Sequence, residues 1–454
     1  MKHVTLLIAI LFAFPCYAVK LKISTFQVDA TPPHGSPLCA GSIKPVGSVD
    51  DPLSARGIIY YPKGQDPLIV TVVDWVGIAN GTHTVWRQAL AEAVSTSIER
   101  VTLHTIHQHD APFADFTTEA LMIKQGLAET MFDTAFTHDV IQRSAQAAKA
   151  SFKHKVKVTH LGLGLAKVDR VASNRRILGE DGKVRAVRWT TCKDPELRAE
   201  PEGTIDPWMR SVSFWKGDKP IIIMTHYATH PQSYYGLGQV SADFPGLARA
   251  QRENELPGTK HFHFNGAGGN IGAGKYNNGE HKNRAILTGR MRDGMQAAFD
   301  SSQKFTLKEL NFEWAIEPVN LPIRQDISRE WEQTNLANKD VSSGARAASA
   351  RELAWIDRVN AETNPIHIGR LRIGKLQLMY MPGELFVEYQ LAAQELAPDD
   401  FVCMAAYGDY GPGYIGMACH YPEGGYETKK HVSRTAPEVE HVLLGITKKL
   451  ILNK

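Results

Sequence analysis

The sequence predicts an α/β protein built on one large mixed sheet layered with helices. Residues 67–74 and 219–226 form β-branched apolar runs that are typical of strands buried on both faces. Between the first run and the next predicted strand, residues 101–106, residues 82–100 carry apolar side chains at helical spacing. No Pro- or Ser-rich linker divides the 454 residues, so we expect one large domain.

The N-terminus has the pattern of a signal peptide. Lys2 is followed by the apolar run 6–14 and by small residues that predict cleavage after Ala18. This run is too short to span a membrane comfortably, and no second run approaches that length. We therefore expect residues 1–18 to be a signal peptide and the protein to be periplasmic or secreted, without a membrane span.

Composition narrows the class of protein. Hydrophobic residues make up 43% of the chain and charged residues 22%, which is the globular range. A net charge of +3 predicts neither a nucleic-acid partner nor an acidic membrane surface, and the sequence does not indicate an oligomeric state. The four cysteines after the signal peptide could form one or two disulfides or remain buried thiols, and their spacing disfavours a zinc–thiolate site. These are Cys39, Cys192, Cys403 and Cys419.

Histidines follow the second strand of a predicted β–α–β unit. Ligands of such sheets gather beyond the carboxyl ends of the strands. If strand 101–106 continues, His107 and His109 face the same way, whereas His104 faces the other way and is structural. Two neutral imidazoles on one face are a natural start for a zinc site.

A second set of histidines follows a predicted strand pair, residues 210–215 and 219–226. His226 and His230 lie at the end of this pair. Further along, residues 265–274 form a glycine-rich loop whose backbone N–H groups could approach a ligand closely. Nucleotide binding is not expected, because the loop lacks the GxxxxGK[ST] and GxGxxG spacings.

The remaining elements are predicted from composition and periodicity. Residues 324–362 are charged and alanine-rich, and predict a helical insertion on the surface. A strand region at 371–381 precedes Glu384, which would begin a helix over 384–396. The other predicted helices are 139–152 and 437–450.

A candidate site emerges only when these features are combined. A single histidine is more often a hydrogen-bonded structural residue than a ligand, and a glutamate at a helix start is usually a favourable dipole partner. The two histidine sets, the glycine-rich loop and Glu384 nevertheless all follow strands of the predicted sheet. Convergence at strand ends therefore predicts a metal site.

Short motifs in a fixed order make the chain similar to the catalytic domain of neutral/alkaline (non-lysosomal) ceramidases, which are zinc-dependent amidases. The motifs cover most of residues 20–450, and the two tyrosines of the last one are twelve residues apart. The matching residues are 107–112, Asn174-Arg175, His230-Pro231-Gln232-Ser233 with Ser241-Ala242-Asp243, Pro382-Gly383-Glu384, and Tyr414-Ile415 with Tyr426-Glu427.

The resemblance implies a catalytic domain over residues 19–454, with zinc as cofactor. It implies hydrolysis of an amide (N-acyl) bond by metal-activated water, on a small-molecule or lipid-like substrate, and hence a part in lipid metabolism. The implied zinc ligands are His107, His230, Glu384 and Tyr414. The implied catalytic or supporting residues are His109, Arg175, Asp243 and Tyr426.

The chain departs from the resembled family on the substrate side. In the glycine-rich loop, which includes Gly268 and Gly269, Asn270 stands where the family has an aspartate and Gly272 where it has a serine. We also expect no C-terminal immunoglobulin-like domain. These departures predict another substrate, either a different N-acyl compound or an ester. The alternative is a non-catalytic exported protein that binds a lipid or a sugar on this scaffold.

Overall fold

The structure is a computed structural model that describes residues 20–127, 131–361 and 365–453. The predicted signal peptide, residues 1–18, lies outside the described residues. The predicted α/β class with layered helices is confirmed, and the described strands form several sheets where one large mixed sheet was expected.

Strands and helices alternate along much of the chain. The strands, in chain order, are β1 (Leu21–Asp29), β2 (Ser48–Val49), β3 (Ser54–Pro62), β4 (Leu68–Val73), β5 (Gly77–Ile78), β6 (Val101–Thr105), β7 (Phe113–Ala114), β8 (Val156–Lys157), β9 (His160–Lys167), β10 (Ser173–Asn174), β11 (Arg176–Leu178), β12 (Val184–Val187), β13 (Trp208–Lys216), β14 (Lys219–Tyr227), β15 (Gln239–Val240), β16 (Lys260–Asn265), β17 (Ile271–Gly272), β18 (Gln303–Thr306), β19 (Phe312–Val319), β20 (Ile366–Ile373), β21 (Leu376–Tyr380), β22 (Glu384–Leu385), β23 (Phe401–Ala405) and β24 (Tyr414–Ile415). The helices are α1 (Asn80–Val94), α2 (Phe116–Lys124), α3 (Thr134–Ser151), α4 (Pro195–Ala199), α5 (Asp243–Glu255), α6 (Lys282–Asp300), α7 (Arg329–Ala337), α8 (Ser343–Asn360), α9 (Val387–Glu395), α10 (His420–Glu423) and α11 (Val439–Leu452).

The long strands are divided among three sheets. Their strand orders are β6-β4-β3-β1-β8, β16-β14-β13-β9-β18 and β19-β20-β21-β23. Each sheet has one parallel pair at an edge, namely β4 with β6, β14 with β16, and β21 with β23. Ligand sites of parallel strands form beyond the carboxyl ends, so each sheet contributes one such end.

Hydrogen bonds join these carboxyl ends across the sheets. The Thr105 N–H, at the end of β6, donates to the Tyr407 carbonyl just beyond β23, at 2.9 Å. The Ala406 N–H donates to the Asn265 carbonyl at the end of β16, at 3.0 Å, and the Asn265 amide donates to the Ile106 carbonyl, at 3.1 Å. The loops that follow strands from all three sheets are therefore held together.

The predicted β–α–β unit is present as β4–α1–β6. Every residue of β4 is buried, as expected of a strand covered on both faces. The helix ends at Val94, earlier than predicted, because Ser95 adopts the left-handed conformation at φ 58°. A single apolar cluster then packs the three sheets against one another, with contributions such as Val70, Phe214 and Leu371.

The region around Glu384 differs from the sequence prediction. The predicted strand 371–381 is interrupted by the turn of a hairpin, because Gly374 turns the chain at φ 60° between β20 and β21. Glu384 does not begin a helix. It lies in β22, which pairs in parallel with β24, and α9 begins three residues later at Val387.

The helical pair predicted within 324–362 is present as α7 and α8, but the expected surface position is wrong for α8. Leu353 is buried and Trp355 is fully buried within the largest apolar cluster. α8 also packs against α1 and α2. This helix is therefore part of the core.

The structure also bears on the cysteines and on the expected absence of a membrane span. All four cysteines, left open between disulfides and thiols, are free. Among the described helices, none combines the length and apolarity that a membrane crossing requires.

Replacing Trp355 by alanine should lower the free energy of unfolding by about 3–5 kcal/mol, because it removes a large side chain from a close-packed core. Urea denaturation measures this change. The control is Trp331→Ala on α7, where the side chain is 55% exposed and the expected loss is below about 1 kcal/mol. Equal losses in the two variants would show that α8 is peripheral.

Candidate metal centre and its cavity

Three buried side chains meet where the sheets converge. His107 follows β6, His230 follows β14, and Glu384 follows β21. The His107 Nε2 lies 3.1 Å from Glu384 Oε2, and the His230 Nε2 lies 3.0 Å from the same oxygen. One ligand atom of each residue lies within 4.8 Å of the others, so the cluster could hold a metal ion.

Backbone carbonyls orient both imidazoles. The His107 Nδ1–H donates to the Val76 carbonyl at 2.7 Å. The His230 Nδ1–H donates to the Gly268 carbonyl at 2.7 Å and lies 2.9 Å from the Ile271 carbonyl. Since a carbonyl can only accept, each ring carries a hydrogen on Nδ1, and its neutral form directs the lone pair of Nε2 towards Glu384.

The strand argument for His107 and His109 is wrong, although the structure does bring the two rings together. β6 ends at Thr105, and His107 has a left-handed backbone at φ 77°. The two ring centroids are nevertheless 5.1 Å apart, because the loop turns the chain back. Backbone strain of this kind is uncommon outside glycine and recurs at functional sites.

Glu384 is held in its ionised form. Burial raises the pKa of its carboxyl, and positive charge on His107 or His230 would lower that pKa well below its ordinary value. A bound cation would supply this positive charge when both rings are neutral. The Tyr410 hydroxyl donates a hydrogen bond to the other carboxylate oxygen. Burial, followed by the charge of Arg175, lowers the pKa of His230 to about 4, so this imidazole is neutral at pH 7.

Tyr414 borders the cluster and connects it to Arg175. The Tyr414 hydroxyl lies 3.2 Å from His230 Nε2 and accepts a hydrogen bond from Arg175 Nη2, also at 3.2 Å. Arg175 pairs with the fully buried Glu427 at 2.8 Å, and Arg176 pairs with the same carboxylate at 3.2 Å. Tyr414 is therefore adjacent to the three acceptors and positioned by a buried ion-pair network.

His109 and Tyr426 lie on the open side of the cluster. Burial, with the nearby charges of His107 and His230, lowers the pKa of His109 well below its ordinary value, so its ring is neutral. Tyr426 stands edge-on to Tyr414, with ring centroids 5.9 Å apart. All of these side chains except His230 line one cavity of about 490 Å³, a size suited to a small molecule.

Asp243 lies behind the cluster and supports the segment that follows His230. Its carboxylate accepts hydrogen bonds from the Ser233 N–H, at 2.9 Å, and from the Phe244 N–H. It also lies 3.7 Å from Arg284. The structure therefore places Asp243 among hydrogen bonds that hold the His230 segment.

The glycine-rich loop is part of the scaffold. Its residues Gly268, Gly269, Asn270 and Gly272, predicted to form a substrate or backbone loop, do not line this cavity. The Gly269 N–H donates to the Leu385 carbonyl at 2.8 Å. The Asn270 side chain accepts from the Val387 N–H at 2.9 Å. The loop thus connects the His230 segment with the Glu384 segment.

Two predicted histidines remain outside the cluster. The His104 ring lies 2.8 Å from the Ala406 carbonyl through Nδ1, in agreement with its predicted structural role. His226 stacks on Phe264, with ring centroids 5.3 Å apart. Burial lowers the pKa of His104 to about 4, so that ring is uncharged in the interior.

A second group, Cys419, His420 and Glu423, also has metal-binding residue types within reach of one another. Its atoms are already engaged, because His420 Nδ1 accepts from the Met417 N–H at 3.1 Å and Glu423 accepts from Arg176 at 2.9 Å. The group formed by His107, His230 and Glu384 is the stronger candidate.

Sequence reasoning missed several residues of the site. Tyr410 belongs to no motif of the sequence, and Glu427 appears there only as the neighbour of Tyr426. Tyr407, which stacks on His107 at 4.7 Å between ring centroids, carried no motif. Arg351, which lines the cavity from α8, lies in a charged alanine-rich stretch where a single arginine has no distinguishing pattern.

Comparison with known proteins identifies the fold. No protein-family model matches the sequence, and no curated protein matches it. Two solved structures match over 96% of this chain, each with a TM-score of 0.68. One is a ceramidase complexed with C2, at 16% identity and 75% coverage of its chain; the other is the neutral ceramidase from Pseudomonas aeruginosa, at 17% and 74%.

The chain has the fold of the neutral ceramidases. The match agrees with the resemblance found in the sequence motifs. At this level of identity it establishes the fold, whereas the chemistry has to be argued from the site.

Replacing Gly269 by alanine should lower the free energy of unfolding by about 1–3 kcal/mol, because overpacking displaces backbone. The added Cβ would lie about 2.4 Å from the Glu384 carbonyl oxygen. The matched control is Gly289→Ala in α6, which has open space and should gain about 0.5–1 kcal/mol from helix propensity. Denaturant titration of both variants measures the difference, and a neutral Gly269→Ala would refute the close packing.

Proposed function

We propose that this protein is an exported zinc-dependent hydrolase that cleaves an amide (N-acyl) bond. The observation that carries the proposal is the mutual approach of three lone pairs, on His107 Nε2, His230 Nε2 and Glu384 Oε2. Export rests on the signal-peptide pattern of residues 1–18.

The three acceptors fit a divalent cation. With both Nδ1 atoms donating to carbonyls, the neutral form of either ring has no hydrogen between its Nε2 and the Glu384 carboxylate. His107 Nε2 and Glu384 Oε2 are buried without a hydrogen-bond partner, which costs about 1–3 kcal/mol or more for each group. The lone pairs of these atoms repel one another, and a cation bound by all three would remove that repulsion.

The donor set favours zinc among the divalent metals. Two neutral imidazoles and one carboxylate are the protein ligands of many catalytic zinc sites, which keep a further position open. Tyr414 is the fourth candidate ligand, because its hydroxyl is 3.2 Å from His230 Nε2. A bound zinc ion supplies Lewis acidity, which activates water and polarises a carbonyl group.

The surrounding residues suit hydrolysis of an acyl compound. Arg175 holds Tyr414 in place, and Tyr426 lies next to it, so phenolic donors could stabilise negative charge on a carbonyl oxygen. The neutral His109 ring could carry a proton towards the leaving group. In the overall reaction, water oxygen bonds to the acyl carbon, the C–N bond breaks, and the nitrogen gains the proton.

The cavity supports a small-molecule or lipid-like substrate. Apolar and aromatic side chains, including Ile43, Phe113 and Tyr235, line it together with polar and charged groups. Such a lining buries hydrocarbon while polar groups orient the reacting bond. The ceramidase structures that share this fold make an N-acyl compound the first class to test.

Replacing His230 by alanine should abolish zinc binding and hydrolysis together, because it removes a ligand from the buried cluster. Metal content by mass spectrometry and activity on an N-acyl amide measure the two losses. The exposed His441→Ala on α11 is the matched control and should leave both unchanged. Retained zinc in the His230 variant would refute the ligand set. Substoichiometric zinc in the wild type, with no loss of stability on chelation, would refute the proposal that the protein is a zinc-dependent enzyme.

A matched series of N-acyl amides and esters should show metal-dependent release of the acyl group by the zinc-loaded protein. The blank is Glu384→Ala, which removes the buried carboxylate and should reduce the rate to background. Chromatographic measurement of the released acid gives the rate for each compound. Cleavage of esters alone would make the protein an esterase, and binding without any cleavage would favour the non-catalytic alternative.

A further inference from the structure

Arg351 is an arginine inside the cavity for which the described residues supply no ion-pair partner. It lies on α8 and lines the same cavity as His107 and Glu384. Across residues 20–127, 131–361 and 365–453, no hydrogen bond or ion pair reaches its guanidinium. Its described contact is with the Phe113 ring, 5.2 Å from the guanidinium carbon to the ring centroid. A partly buried cation in this situation is poised to bind an anion.

Aromatic side chains connect Arg351 to the candidate metal centre. The Phe113 ring stands edge-on to Tyr410, with centroids 5.1 Å apart. Tyr410 in turn donates its hydroxyl to the Glu384 carboxylate. A molecule with its reacting bond beside Glu384 would therefore extend along Tyr410 and Phe113 towards Arg351.

The neighbouring charges are already balanced. Arg434 pairs with Glu352 at 3.1 Å, and Lys430 pairs with Glu332 at 3.0 Å. These pairs leave Arg351 as a positive charge at the cavity wall. Burial, followed by the charge of Arg434, lowers the pKa of Arg351, although a guanidinium remains protonated at neutral pH.

Asp115, an acidic neighbour, does not neutralise Arg351. Its carboxylate accepts hydrogen bonds from Asn80, at 2.8 Å, and from the Thr118 hydroxyl, at 2.6 Å. It also caps α2 by accepting from the Thr117 and Thr118 N–H groups. With these donors in place, the Asp115 carboxylate acts as a helix cap.

The position on α8 suits a binding residue. Ala348 lies three residues before Arg351 and also lines the cavity, so both share one face of the helix. The alanine leaves room beside the guanidinium. The fully buried Trp355 follows Arg351 by four residues on the same side of α8 and holds the helix in place.

We propose that Arg351 binds a carboxylate of the substrate, and that the substrate class is N-acyl compounds with a free carboxylate, such as N-acyl amino acids. This inference rests on the proposed function and deepens it. A single unpaired guanidinium matches one negative charge, and its planar fork binds a carboxylate through two parallel hydrogen bonds. Arg351 would then be a specificity-determining residue.

The test measures binding of non-hydrolysable ketone isosteres, in which CH₂ replaces the amide nitrogen. The probes are 4-oxoundecanoate, its neutral amide 4-oxoundecanamide, and 3-oxodecylphosphonate. Calorimetric titration of the purified full chain gives the affinities, independently of any hydrolysis. The wild type should prefer the carboxylate over the amide by about 10–100-fold, the range expected for a hydrogen bond to a charged group.

Two variants and a control test whether the preference for the carboxylate over the amide depends on Arg351. Arg351→Met should remove it, and Arg351→Lys should retain part of it, because an ammonium keeps the charge but loses the fork. Arg329→Met is the control, since Arg329 is a surface residue paired with Asp357 at 2.5 Å and should leave the preference unchanged.

Three outcomes would overturn the inference. They are equal binding of acid and amide by the wild type, an unchanged preference in Arg351→Met, and tighter binding of the phosphonate than of the carboxylate. None depends on turnover. A protein that binds the carboxylate probe through Arg351 yet hydrolyses no amide would refute the proposed function and leave the carboxylate site standing.

Discussion

The site depends on one constraint, the burial of the Glu384 carboxylate against two imidazoles whose neutral forms cannot donate to it. His107 and His230 each donate a hydrogen bond from Nδ1 to a backbone carbonyl. Their Nε2 atoms lie 3.1 Å and 3.0 Å from the same carboxylate oxygen of Glu384. Three acceptors in a water-poor interior repel one another unless a cation lies among them. Tyr410 and the Arg175 network then occupy positions around this centre.

The three-sheet architecture explains how residues far apart in the chain reach that centre. Each sheet ends in a parallel strand pair, and backbone hydrogen bonds join the carboxyl ends of strands from different sheets. The glycine-rich loop ties two of the ligand segments together, because Gly268 accepts from His230 and Gly269 donates to Leu385. A close backbone approach at Gly269 leaves no space for a side chain. Scaffold and site are thus one hydrogen-bonded unit.

Part of this organisation was predictable from the sequence. The β–α–β unit followed from apolar runs and periodicity, and the candidate ligands followed from short motifs in a recognisable order. Periodicity identifies strands without identifying their partners, so one large sheet was expected, whereas the long strands of the described residues form three. It also assumes a regular backbone, which fails at His107 with its left-handed φ of 77°. The role of Arg351 could not be predicted, because the sequence does not show whether an arginine has an ion-pair partner in the folded protein.

Anomalous X-ray scattering from crystals of the purified protein tests the central claim most directly. Data collected on both sides of the zinc absorption edge should show a strong peak about 2.0–2.2 Å from His107 Nε2, His230 Nε2 and Glu384. That peak would establish both the metal and its ligands in one measurement. The account would be contradicted if no zinc signal lay beside Glu384, or if the zinc lay at Cys419 and His420.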